Sequence, residues 1–175
     1  MNAAVTIWLI LAQNGVNPDS ALIARFQGHV ADYMKSTGKI KSDLPPLKTT
    51  DSRDAVTQRE AELAHLIGQS RPSAMQGDFF TPPIAKEFRR LIGIAFQDRR
   101  ERRIMKSLAH AEPVEGQLKV NASYPPVPLQ SMPPTLLANL PELPSSLDYR
   151  IVGHALVLRD VQANLVLDFI PKALP

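Results

Sequence analysis

The sequence predicts an α+β fold in which about four N-terminal helices pack on a small C-terminal antiparallel β-meander, the two joined by a proline-rich strap. Three observations carry this expectation. Apolar residues recur at helical spacing over residues 19–111, and the spacing changes to alternation over residues 117–124. The stretch Asp148–Pro175 then holds strand-forming runs interrupted only by Gly153-His154 and Arg159-Asp160-Val161-Gln162. With 175 residues and 44% hydrophobic content, the chain suffices for one domain with its own core, expected over residues 19–175.

In the first segment, Ala3–Ala12 is an uncharged apolar run too short to span a bilayer as a helix of about 20 residues. It resembles the apolar region of a secretory signal, although no Lys or Arg precedes it and Ile10 is a poor residue beside a cleavage point after Ala12. Residues 1–18 are therefore expected to be a signal remnant or an N-terminal tail, and the protein periplasmic or secreted. The alternative is a cytoplasmic protein in which this run is a buried segment anchored by Trp8.

A first helix is expected from Asp19, its N-cap, with Leu22, Phe26, Val30 and Tyr33 on one stripe and Gly38 as its end. After a stiff Leu44-Pro45-Pro46-Leu47 linker, a second helix begins near Asp51 and buries Val56, Leu63 and Ile67 before Gly68 and Pro72 stop it. Gln76–Pro83 is a turn that delivers Phe79 and Phe80 and then sets Thr81 as N-cap, with proline at the first helical position. The third helix buries Ile84, Phe88, Leu91, Ile92 and Ala95. Continuing the same wheel would bury arginines, so it breaks near Asp98 and a short fourth helix runs to about His110.

The alternation of Leu118, Val120, Ala122 and Tyr124 predicts a half-buried strand over 117–124. The strap, residues 125–147, is proline-rich but carries Leu129, Met132, Leu136, Leu137, Leu140 and Leu143, too many apolar residues for free disorder, with Thr135–Leu140 as one helical turn. In the meander, residues 148–170, alternation places Tyr149 with Ile151 on one face, and Leu165 with Leu167 and Phe169.

The chain has no cysteine, which removes disulfides, thiolate metal sites and cysteine nucleophiles. A net charge of +3 is too mild for a dedicated nucleic-acid binder. Arg99, Arg102 and Arg103 form a basic run that could collect phosphates, but no aromatic residue interleaves with them; they read first as a solvated helix face, and sequence-specific nucleic-acid binding is not expected. Glu62 and His65 have the spacing of a di-iron ligand pair, yet no second ExxH exists and His65 lies opposite the apolar stripe, so no metal and no cofactor is implied. His154, Arg159, Asp160 and Asp168 are the remaining binding candidates. His with Asp is the raw material of acid–base chemistry, whereas as turn residues and strand ion pairs the four are ordinary structure.

The segments GDFFTPPIAKEFRRLI, VNASYPPVPL and LPELPSSLDYRIVGHALVLRDVQANLVLDFIPKALP together resemble an uncharacterised bacterial family whose members usually carry an export signal, with the likeness running from about Leu22 to the C-terminus. That resemblance implies export and one domain; the family has no assigned activity, so no site residue follows from it. Two functions are expected to compete. One is a non-catalytic binding module of the cell envelope, docking a protein partner through the strap or an exposed meander edge. The other is a small hydrolase-like enzyme using His154, Asp160 and Asp168, which requires those side chains to converge in a pocket. Neither reading specifies an oligomeric state.

Overall fold

A computed structural model of the protein describes residues 18–45, 52–97, 103, 118–124 and 132–174. It has the expected α+β arrangement: α1 (Pro18–Asp43), α2 (Arg53–Ser70), α3 (Pro82–Ala95) and a short α4 (Pro134–Asn139) precede β1 (Leu147–Val152), β2 (Ala155–Asp160) and β3 (Leu165–Ile170). The strands form an antiparallel sheet in the order β1-β2-β3. Among the described residues no helix is long and apolar enough to cross a membrane.

The helix α1 buries Phe26, Val30, Tyr33 and Thr37, a single stripe at i, i+4, i+7 and i+11. It does not stop at Gly38. A helical glycine costs only about 1 kcal/mol relative to alanine, and the next turn offsets this because Ile40 packs against the core and Lys41 reaches an acceptor on β2. The helix α2 is capped by Ser52, whose Oγ accepts from the N–H of Ala55 at 3.4 Å; Asp51, the expected cap, lies outside the described residues. Leu63 and Ile67 are buried, but Val56 is 37% exposed. In α3, Thr81 makes no side-chain cap hydrogen bond, and the prolines at the first two helical positions have no N–H that needs one. Ile84, Phe88, Ile92 and Ala95 are buried as expected, and Leu91 is half-buried at the core. The expected fourth helix to His110 lies outside the described residues apart from Arg103.

The core joins these helices to one face of the sheet through an aromatic cluster. Phe26 of α1 stacks on Phe80 at 5.6 Å and meets Phe88 of α3 edge-on at 4.9 Å, while Phe88 lies 6.0 Å from Tyr149 of β1. The helix α4 adds Leu136, fully buried, and packs on α3.

Gly153 has φ +57 and begins the two-residue β1–β2 turn, a position where glycine avoids the strain of a Cβ. Between β2 and β3 the register slips: Leu158 faces Asp168, but Arg159 faces Val166. Leu167 is therefore the extra residue of a β-bulge, and strict alternation fails at this point. Leu165, Leu167 and Ile170 enter the helix-facing core, whereas Val166 and Phe169 turn to the opposite face. The expectation that Phe169 shares a face with Leu165 and Leu167 is thus corrected.

That opposite face is covered by residues 118–124. Tyr124 and Leu118 pack with Val152, Val157, Val166 and Phe169, so β2 is buried along its whole length. The predicted strand over 117–124 is reduced to one bridge, Ser123 to Leu165. The reason is a turn at Asn121, which has φ +60 and breaks the alternation. The segment still closes the outer edge of β3: Asn121 N–H donates to Val166 O, Val166 N–H to Ala122 O, and Tyr124 N–H to Asn164 O at 2.7–2.9 Å.

Burial pushes the phenols of Tyr33 and Tyr149 far above the ordinary tyrosine value, with the Asp160 carboxylate adding to the effect at Tyr33; burial also raises Tyr124. These are the three tyrosines of the chain. A phenol whose folded value is raised contributes stability that is whole below about pH 10, where the unfolded group ionises, and is lost as pH climbs towards the folded value. Little phenolate absorbance is expected from the native protein near pH 10.5, and the urea midpoint should fall above that pH. Tyr149→Phe should flatten that fall; a native protein titrating like free tyrosine would contradict the packing described.

Candidate functional site

Asp168 owes its position to the bulge, which turns its side chain to the helical side. There it is fully buried and accepts four backbone N–H groups: Gly77 and Phe169 on Oδ1 at 3.0 and 2.8 Å, Phe79 and Phe80 on Oδ2 at 2.9 and 2.8 Å. Gly77, at φ +98, lets the loop wrap the carboxylate. Burial pushes the Asp168 carboxyl up and the four amides oppose that shift. Arg71 backs the same loop, sandwiched 5.6 Å from the Tyr33 ring and 5.4 Å from the Phe79 ring, and 3.6 Å from Asp78.

Asp160 ends β2 and is also fully buried. Its Oδ2 accepts from Tyr33 Oη at 2.7 Å and Lys41 Nζ at 2.6 Å, and its Oδ1 accepts from the N–H groups of Gln162 and Ala163 at 3.0 Å each. One carboxylate thereby shapes the β2–β3 turn and fastens α1 to it. Arg159 points to the opposite face of the sheet, where it makes a two-point bond to Asp148 at 2.8 and 3.1 Å, donates to Asn164 Oδ1 and lies 5.0 Å over the Tyr124 ring. Arg150 donates to the same Asp148 at 2.8 Å.

His154 is exposed on the β1–β2 turn, at the far end of β2 from Asp160. At about 3.3 Å per residue the two are roughly 20 Å apart along the strand. The convergence required of an acid–base site is therefore not formed: His154 faces solvent, while Asp160 and Asp168 are enclosed in separate, saturated hydrogen-bond sets. Arg103 is exposed, and Arg99 and Arg102 lie outside the described residues. Glu62 and His65 are both exposed on α2, Glu62 3.7 Å from Arg59.

Among the described residues, one edge of the sheet is left unpaired. The outer edge of β3 is taken by residues 121–124, but no described strand pairs with β1 on the side away from β2. The two-residue turn fixes the alternation of the ladder, leaving the N–H and C=O of Tyr149 and Ile151 directed outward. Beside this edge runs a groove of about 370 Å³ between β1 and the strap. Leu137, Leu140 and Leu143 supply its apolar wall and Glu142, Asp148 and Arg150 its charges; Leu137 is 45% exposed. The sequence pointed to the strap and a meander edge as a docking surface without singling out Asp148, Arg150 or Glu142. The available signal was the alternation of Asp148 and Arg150 with Leu147, Tyr149 and Ile151, which marks a strand able to present two different faces to a neighbour.

Replacing Asp168 by alanine leaves the Gly77, Phe79 and Phe80 amides buried without an acceptor and should destabilise the fold by about 3–5 kcal/mol in urea denaturation. Asp168→Asn keeps one acceptor oxygen and should cost less; equal stability of wild type and Asp168→Ala would show that the loop does not depend on the carboxylate. No family model, curated protein or solved structure matches the chain.

Proposed function

We propose that the protein is a non-catalytic interaction module of the bacterial cell envelope that takes up an extended segment of a partner protein along the outer edge of β1. The observation that carries this reading is the asymmetry of the sheet, with one edge sealed by residues 121–124 and the other bordered by a groove with an exposed leucine. An incoming strand would bond the outward N–H and C=O groups of Tyr149 and Ile151, which gives affinity through the main chain. Its alternate side chains would meet Leu137 and Leu143 on one side and Asp148 and Arg150 on the other, which gives selectivity. The open edge of a short strand flanked by charges is also how a sheet avoids indiscriminate pairing.

Export to the periplasm or beyond is part of the proposal. It is supported by the resemblance of Ala3–Ala12 to the apolar part of a secretory signal. Hydrolysis by His154, Asp160 and Asp168 has no comparable support, because their surroundings are separate.

The test is selection of displayed peptides on the folded protein, followed by amide hydrogen exchange in the complex. Selected peptides should alternate apolar and polar residues and slow exchange at Tyr149 and Ile151, and Leu137→Glu should weaken them by about tenfold or more through the lost apolar contact and the buried charge. Binding that leaves both amides unprotected, or that is indifferent to Leu137→Glu, would count against the edge.

A further inference from the structure

Beside the β2–β3 turn, a second concavity of about 590 Å³ is bounded by the end of α1, the beginning of α2 and that turn. Its apolar walls include Leu44, Val56, Leu63 and Val161. Val56 and Val161 are 37% and 38% exposed, although Val56 lies on the same sequence stripe as the buried Leu63 and Ile67. An apolar side chain on a core stripe that faces a cavity instead of the core marks a surface suited to an apolar ligand. Ligand cavities commonly measure about 300–1,000 Å³ and combine apolar walls with a few convergent polar groups.

The charged residues lining the cavity are Lys41, Arg59 and Glu60. Lys41 donates to Asp160 at 2.6 Å, its one hydrogen bond among the described residues, and its side chain is 14% exposed at the wall. Arg59 is 18% exposed, and its guanidinium makes no hydrogen bond among the described residues; its nearest acceptor is Glu62 at 3.7 Å. Asp160 is fully buried and saturated, so its charge holds Lys41 in place without being presented to the cavity. Glu60 is the one acidic residue among those lining the cavity.

We propose that this cavity binds a small amphipathic carboxylate, its head held by Arg59 and Lys41 and its hydrocarbon chain against Val56, Leu63 and Val161. A planar guanidinium with unused donors matches a carboxylate in a two-point bond, and the ammonium of Lys41, already anchored, adds a donor without having to be ordered on binding. Glu60 opposes the head and sets a limit on affinity. The site is independent of the β1 edge, because it uses none of the same residues.

Decanoate is the probe, titrated into the full chain and followed by calorimetry and by amide chemical shifts. Saturable binding should perturb residues 41–44, 56–63 and 161–162. Arg59→Gln, at a residue outside the core, should weaken binding by about tenfold or more without changing the melting temperature, as loss of a charge-assisted bond predicts. Val161→Glu should abolish it, Glu60→Gln should tighten it, and uncharged decanol should bind at least about tenfold more weakly than decanoate. The proposal is overturned if decanoate does not saturate by about 1 mM, if Arg59→Gln leaves the affinity unchanged, if Glu60→Gln weakens it, or if decanol binds equally well.

Discussion

The fold depends on a buried carboxylate held by backbone amides. Asp168 sits where β3 passes under the loop before α3 and accepts from Gly77, Phe79 and Phe80, so one side chain fixes the path of a loop distant in sequence. An ionised group in that position is costly to bury and tolerable only with its acceptors satisfied, which makes the arrangement specific as well as stable. The loop so held delivers Phe79 and Phe80 into the aromatic cluster and sets the starting direction of α3. The bulge at Leu167 is the precondition, because without the slip in register Asp168 would face the other way.

Asp160 repeats the device at the neighbouring corner. It joins the β2–β3 turn to Tyr33 and Lys41 of α1, and thereby keeps α1 helical beyond Gly38. Two carboxylates on adjacent strands thus decide how the helices lie on the sheet, while the Phe26, Phe80, Phe88 and Tyr149 cluster supplies the apolar area. Both residues suggested chemistry in the sequence. Both are fully enclosed with saturated partners, and the strand edge left unpaired among the described residues and the cavity beside Val56 lie at the periphery.

The helices and the meander were legible because each repeats its period for several turns or strands. The stripe from Phe26 to Tyr33, the face of α3 and the turn at Gly153 follow from spacing and turn chemistry alone, whereas Arg159 and Asp160, expected in the second turn, are the last residues of β2 because both are held in the ladder with β1. Departures occurred wherever one residue broke a period for a tertiary reason. Asn121 turns the expected strand at 117–124 into a strap with one bridge, Leu167 bulges and reverses Phe169, and Gly38 is crossed because Lys41 has an acceptor on β2. The candidate surfaces were legible only coarsely: an exposed meander edge was expected, but neither the edge of β1 left unpaired among the described residues nor the cavity beside Val56 corresponds to a local motif.

The amino-acid order by itself determined the α+β class, the order of helices before strands and most of the buried face of each element, because these follow from apolar periodicity and from the backbone preferences of glycine, proline and capping residues. Only the tertiary structure decided which way Asp168 points, that Arg159 serves Asp148 and Asn164, that His154 stands apart from both buried aspartates, and which edge of the sheet the described residues leave unpaired. Each of those outcomes depends on a partner far away in the chain, and local spacing carries no information about a distant partner.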